Sequence, residues 1–262
     1  MKFAGIIAEY DPFHNGHAWQ LAQAKALGAE RVAVAMSCSL VQRGALPLLP
    51  EAVRTRSALT CGADLVFALP APCACAGAEA FARAGVALLA AAECDGLVFG
   101  AETPDAALLM EAAELLDSDS YRAALKAQLA GGARSFAAAR QAAAAQLASD
   151  ERVAALLDKP NNNLAVEYCR AIRSLAPRME AYPLPRQGAN HGEALHSAHG
   201  QFASASALRK LWAEGGADAV APYVPEAVFP LYQEAYAAGQ YTDFSAAGRC
   251  ELALLRSACR GK

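Results

Sequence analysis

Short apolar runs alternate with longer segments of mixed polarity from the start of the chain. Phe3 to Ala8 is apolar throughout and predicts a buried strand, and the segment from about Gly16 to Leu27 predicts a helix. Gly28 stands where a C-terminal cap is expected, and Arg31 to Met36 is apolar again. The unit repeats with a helix over Glu51 to Thr60, a stop at Gly62 and a strand over Asp64 to Leu69. A helix over Ala76 to Ala92 and a strand over Gly96 to Gly100 complete a third copy. Strands separated by helices of this length predict an α/β fold, with a parallel sheet and right-handed crossovers. Ligands of such sheets sit beyond the carboxyl ends of the strands. Glu9 to His17, Ser37 to Gly44, Pro70 to Pro72 and Gly100 to Glu102 all follow strands and should gather at one edge.

Beyond Glu102 the pattern changes. Pro104 to about Leu157 is helical and Ala-rich, as in "SFAAARQAAAAQLA", which predicts a helical insertion or cap that contributes little to a core. Met179 to Leu184 predicts a further strand, "PRQGANHGEALHSAHG" a Gly/His-rich loop, and the remainder from Ser204 onward more helix. The expected organisation is one domain over residues 1–203, with the insertion at about 104–157, and a helical C-terminal segment over 204–262.

Composition narrows the class. Of 262 residues, 55% are hydrophobic and 19% charged, which is globular rather than disordered, and the formal net charge of -3 excludes a surface that is basic all over. The N-terminus does not read as a signal peptide, and the longest apolar stretch, Ala84 to Ala92, is too short to span a bilayer. A cytoplasmic protein without membrane contact is expected. The eight cysteines include no CxxC spacing, so buried thiols are expected rather than a disulfide framework or a metal site.

The chemistry concentrates in "GIIAEYDPFHNGHAWQL", Gly5 to Leu21. His14 and His17, three residues apart at a strand-to-helix corner, have side chains that can share a face. The helix start beside them offers free N–H groups and a positive dipole end, and Gly16 removes a Cβ where a phosphate would approach. Two imidazoles there can donate hydrogen bonds to charge developing during displacement at phosphorus. A chance HxxH, or a metal fragment short of a ligand, is the competing reading.

"HNGH" is the HxGH signature of the nucleotidylyltransferase superfamily. The longer "GIIAEYDPFHNGH" resembles the bacterial tRNA(Met) cytidine acetate ligases within it, as do "MSCSLVQRG", "GADLVFALP", "VFGAE", "KPNNNLAVEY" and "SASALRK", in that order. The resemblance implies a Rossmann-like sheet and an enzyme that uses ATP with Mg2+ to convert acetate into acetyl-adenylate. The acetyl group then passes to the wobble cytidine of elongator tRNA(Met). It further implies ATP contacts from Ile7, Ala8, Glu9, Tyr10, Asp11, Pro12, Phe13, His14, Asn15, Gly16 and His17, and from Gly100, Asn162, Arg186, Ser204 and Ser206. His14, His17 and Arg209 would be catalytic, with Arg209 stabilising the leaving pyrophosphate, and Gln42 and Arg43 would touch phosphate or RNA.

The residues by themselves leave humbler readings open: Asn161 or Asn162 as a helix cap, Gly100 as a turn and "SASALR" as an N-cap. Ser37-Cys38-Ser39, Asp11 and Asn163-Leu164-Ala165 depart from the family pattern, and its C-terminal helical region rich in Lys, Arg and Tyr has no counterpart before Lys262. The remaining basic candidates for tRNA are Arg43, Arg54, Arg56, Arg170 and Arg173. Two further functions therefore stay open: a small-molecule adenylyltransferase and a nucleotide-binding regulatory module.

Overall fold

A computed structural model describes residues 1–186, 195–197 and 200–248, with residues 43, 195–197 and 200 described by their backbone alone. Five strands form one parallel sheet in the order β3-β2-β1-β4-β5: β1 Phe3–Ala8, β2 Arg31–Ser37, β3 Leu65–Leu69, β4 Gly96–Ala101 and β5 Glu180–Pro185. The central strands alternate between two cores, as a period of two requires when both faces are covered. Phe3 and Ile7 enter one, Ala4 and Ile6 the other.

The helices divide between the faces. α1 Asn15–Ala26 and α2 Glu51–Thr60 cover one side, while the short α3 Ala71–Ala74 leads into α4 Ala78–Ala91 on the other. A Cβ at Gly85 of α4 would stand 2.6 Å from Ile7 Cδ1, so the helix lies against β1 because that residue has no side chain. α5 Ala106–Asp117, α6 Asp119–Ala130, α7 Phe136–Leu147 and α8 Glu151–Leu156 occupy the Ala-rich region. α9 Pro160–Leu175 follows, and its partner on the same side is α4.

The Ala-rich helices correct one expectation. Ala112, Ala113, Ala143, Ala144 and Ala154 are buried in the same core as Phe81, Leu97 and Ile172, so alanine here lets helices approach closely rather than leaving the core. Glu167 of α9 is buried and pairs with Arg140 of α7 and, at 2.7 Å, with Arg170, which also reaches Asp117 of α5 at 2.8 Å.

After β5, Leu195–Ser197 (β6), inside the stretch expected to be a Gly/His-rich loop, pairs antiparallel with Gly200–Phe202 (β7), which starts at the last residue of that stretch. α10 Ala205–Gly215, a 3-10 turn at Asp218–Tyr223 and α11 Phe229–Ala237 then close over the α1 and α2 face. The loop reading of 187–194 and the helical reading of 249–262 lie outside the described residues. Among the described residues no helix is long and apolar enough to cross a membrane.

Candidate active site

The strand order reverses beside β1, which pairs with β2 on one side and β4 on the other. At such a switch point the connections leave in opposite directions and open a crevice at the carboxyl ends. A cavity of about 380 Å³ lies there, walled by Ile7 to Asp11, Phe99, Gly100 and Leu184 to Arg186 from three strand ends, and by His14 and His17 of the corner.

The corner is built by its own imidazoles. Tyr10 takes a left-handed backbone (φ 50°) that turns the chain out of β1, and a cis Asp11-Pro12 bond follows. His14 caps α1: its Nδ1 accepts the Gly16 N–H at 3.0 Å, and His17 Nδ1 accepts the His14 N–H at 3.3 Å. A neutral imidazole has one donor and one acceptor, so both protons sit on Nε2. The rings stack with centroids 3.8 Å apart. Burial, then the charge of Arg186, pushes His14 down to about 3; burial, then His14 and Arg186, holds His17 well below its ordinary value. Both rings are therefore neutral donors near pH 7, suited to an anion they need not neutralise.

Gly16 lines the cavity and has a further reason to be glycine. A Cβ there would lie 2.8 Å from His14 Cε1, so its absence also makes room for the capping imidazole. Phe13 is wholly buried against Tyr10 and His17, and Asn15 donates to the carbonyls of Gln201 (3.0 Å) and Pro222 (3.2 Å). Pro12, Phe13 and Asn15 thus support the corner without lining the cavity.

The other expected residues divide in the same way. Gly100, Gln42 and Arg186 line the cavity, and the Arg186 guanidinium has no ion-pair partner among the described residues. Asn162 does not line it: buried, it accepts the Thr103 N–H at 2.9 Å and donates to Thr103 Oγ1 at 3.1 Å. Its neighbour Asn161 lines the wall instead, its amide held by Glu102. Ser204 caps α10 through the Ala207 N–H and contacts Ser206 Oγ at 3.1 Å, while Ala205 between them lines the cavity.

Arg209 turns to Asp11, meeting its carbonyl at 2.6 Å and its carboxylate at 3.0 Å, and borders a neighbouring cavity instead. The other Asp11 oxygen accepts the Leu48 N–H at 2.6 Å, and burial raises the Asp11 pKa against these partners. The Arg43 side chain lies outside the described residues.

Sequence reasoning missed Trp19, Gln20, Phe81, Leu164 and Tyr168 in the lining. Asn161, Leu164 and Tyr168 follow the i, i+3, i+7 spacing of one helical face, a signal present in "NNNLAVEY". Phe81 left no such trace. Arg54, expected as a surface cation, is wholly buried; it donates to the carbonyls of Leu49 (3.0 Å), Glu9 (2.7 Å), Ser37 (2.6 Å) and Cys38, tying the ends of β1 and β2 together. Arg170 is spent on the Glu167 cluster.

A family model described as HIGH Nucleotidyl Transferase matches residues 1–257, with the paired histidines at the sheet's switch point. The chain belongs to the HIGH nucleotidyl transferase family. Among its relatives, the tRNA(Met) cytidine acetate ligase of Syntrophotalea carbinolica is 40% identical over 218 residues, 82% of this chain and 52% of the relative. The enzyme of that name from Caldanaerobacter subterraneus subsp. tengcongensis is 35% identical over 244 residues, 92% of this chain and 60% of its own length. The structure of Thermotoga maritima TmcAL bound with alpha-thio ATP is similar over 92% of this chain and 57% of that chain, at 30% identity and a TM-score of 0.82. The Rossmann-like nucleotidyl transferase fold is thus shared, and the chain spans little more than half the length of these relatives.

Proposed function

We propose that this chain activates acetate with ATP and passes the acetyl group to the wobble cytidine of elongator tRNA(Met), in the cytoplasm. The observation that carries the reading is the pair of neutral Nε2–H donors, His14 and His17, at the crevice beside β1. They donate to the α-phosphate and to the bridging oxygen as an acetate oxygen attacks phosphorus and pyrophosphate leaves. Donors aimed at charge that grows in the transition state accelerate such steps. Ile7 to Tyr10 and Gly100 form the backbone wall for the nucleoside, with Asn161 beside it. Arg186 and the start of α10 at Ser204 and Ser206 serve the outer phosphates. Arg209, bound to Asp11, holds the corner and reaches pyrophosphate only if that pair opens.

Mg2+ would arrive on the triphosphate. Among the described residues no group of three His, Cys, Asp or Glu side chains could hold a metal, and Asp11 already serves Leu48 and Arg209. No step here runs through the ion. The alternative of a small-molecule adenylyltransferase uses the same donors on a different nucleophile. ATP–pyrophosphate exchange separates the two: it is expected to require acetate. Exchange indifferent to acetate but driven by a phosphorylated metabolite would overturn the ligase reading.

A further inference from the structure

The cavity is electrically divided. Histidine N–H donors and Arg186 serve anions, yet the Glu9 carboxylate enters the same space. Its Oε1 is pinned by the Gln42 N–H at 2.5 Å, while Oε2 accepts no hydrogen bond among the described residues. Arg54 acts on it only through its charge, since that guanidinium donates to the Glu9 carbonyl and not to the side chain. That oxygen is not sealed from solvent, so it is open to a donor brought by a ligand in the cavity. The neighbouring wall is aromatic: Phe81, Phe99 and Tyr168, with Phe99 and Tyr168 centroids 5.4 Å apart. A flat ring carrying an amino group fits both features.

Resting on the acetate-ligase reading, we propose that Glu9 is the general base of the second half-reaction, accepting an N–H of the acceptor's exocyclic amine. The amine nitrogen attacks the acetyl carbonyl of the adenylate and a C–N bond forms. The bond from the carbonyl carbon to the phosphate oxygen breaks, AMP leaves with that oxygen, and the proton lost by nitrogen passes to Oε2. Burial raises the pKa of Glu9, and the nearby Asp11 charge adds to this against the Gln42 N–H, Arg209 and Arg54, which strengthens it as a base.

Glu9→Gln keeps the oxygen that accepts from Gln42 and removes the base. Two rates are compared in wild type and variant: acetate-dependent ATP–pyrophosphate exchange, and transfer of labelled acetate to an unmodified elongator tRNA(Met) transcript or to cytidine at high concentration. Expected is transfer reduced roughly 10²–10⁴-fold beyond any change in exchange, the usual effect of losing a general base. Glu9→Asp, which retains the base with a shorter reach, should recover part of the transfer. Exchange and transfer falling together would assign Glu9 to ATP binding and overturn the proposal. So would wild-type exchange with no transfer to either acceptor. A wild type without acetate-dependent exchange fails at the earlier step, and that result would count against the ligase reading itself.

Discussion

His14 and His17 hold the corner by accepting backbone N–H groups at Nδ1, which leaves the proton of each neutral ring on Nε2. Removing one donor to a transition state costs about 10²–10³-fold in turnover. His14→Ala or His17→Ala is therefore expected to lower exchange by that factor while the protein still folds, which circular dichroism melting checks. The depressed pKa values also set a pH dependence. The folded state keeps both rings neutral while an unfolded chain protonates them below about pH 6.5, so the unfolded state binds more protons in that interval. This part of the stability is complete above about pH 6.5 and is lost as pH falls toward the folded value of about 3 for His14. Exchange should accordingly show no histidine limb between about pH 6 and 8. A rise in rate through an apparent pKa near 6.5, absent in the His→Ala variants, would contradict the neutral-donor account.

At the scale of elements, periodicity carried most of the fold. The helix over Glu51–Thr60 matches its expected bounds, and the strands agree to within a residue or two, because apolar runs between glycines leave few alternatives. Two things escaped it. The β6–β7 pair is too short to imprint a period, and the Ala-rich helices hide their packing because alanine counts as apolar on every face. Of the site, the HNGH corner, Gly100, Gln42 and Arg186 were legible, whereas Asn161 and Asn162 differ only by which side of one helical turn faces the crevice. Ion pairing across helices cannot be read from spacing at all, and Glu167 is the case with a consequence. Glu167→Ala would leave Arg140 and Arg170 half-buried without their shared carboxylate, and loss of one partner from a buried pair costs about 3–5 kcal/mol. Urea unfolding is expected to show a lower midpoint by that measure, with the histidine corner unaffected and ATP affinity of the remaining folded protein unchanged. A midpoint equal to wild type would mean that the Ala-rich helices are held by apolar contact alone.

For the whole molecule, the division of labour follows the sheet. One face carries α4, α9 and the Ala-rich helices, the other α1, α2, α10 and α11, and the crevice between β1 and β4 is where the two sets of connections part. Arg54 binds strand ends, and Arg140, Arg170 and Arg173 meet carboxylates, so these arginines are engaged within the fold. With a net charge of -3, recognition of RNA would rest on local contacts near the crevice, and phosphate contacts of that kind weaken with salt. The adenylating chemistry is thus the centre of the account. Its most direct test follows an atom: acetate labelled with heavy oxygen is incubated with ATP, the 262-residue chain and hydroxylamine, and the AMP formed is weighed by mass spectrometry. Attack of an acetate oxygen on the α-phosphorus requires AMP to carry one labelled oxygen, and acetyl hydroxamate to form in equal amount. AMP formed without label, or no AMP formed while ATP is bound, would contradict acetate activation by this site.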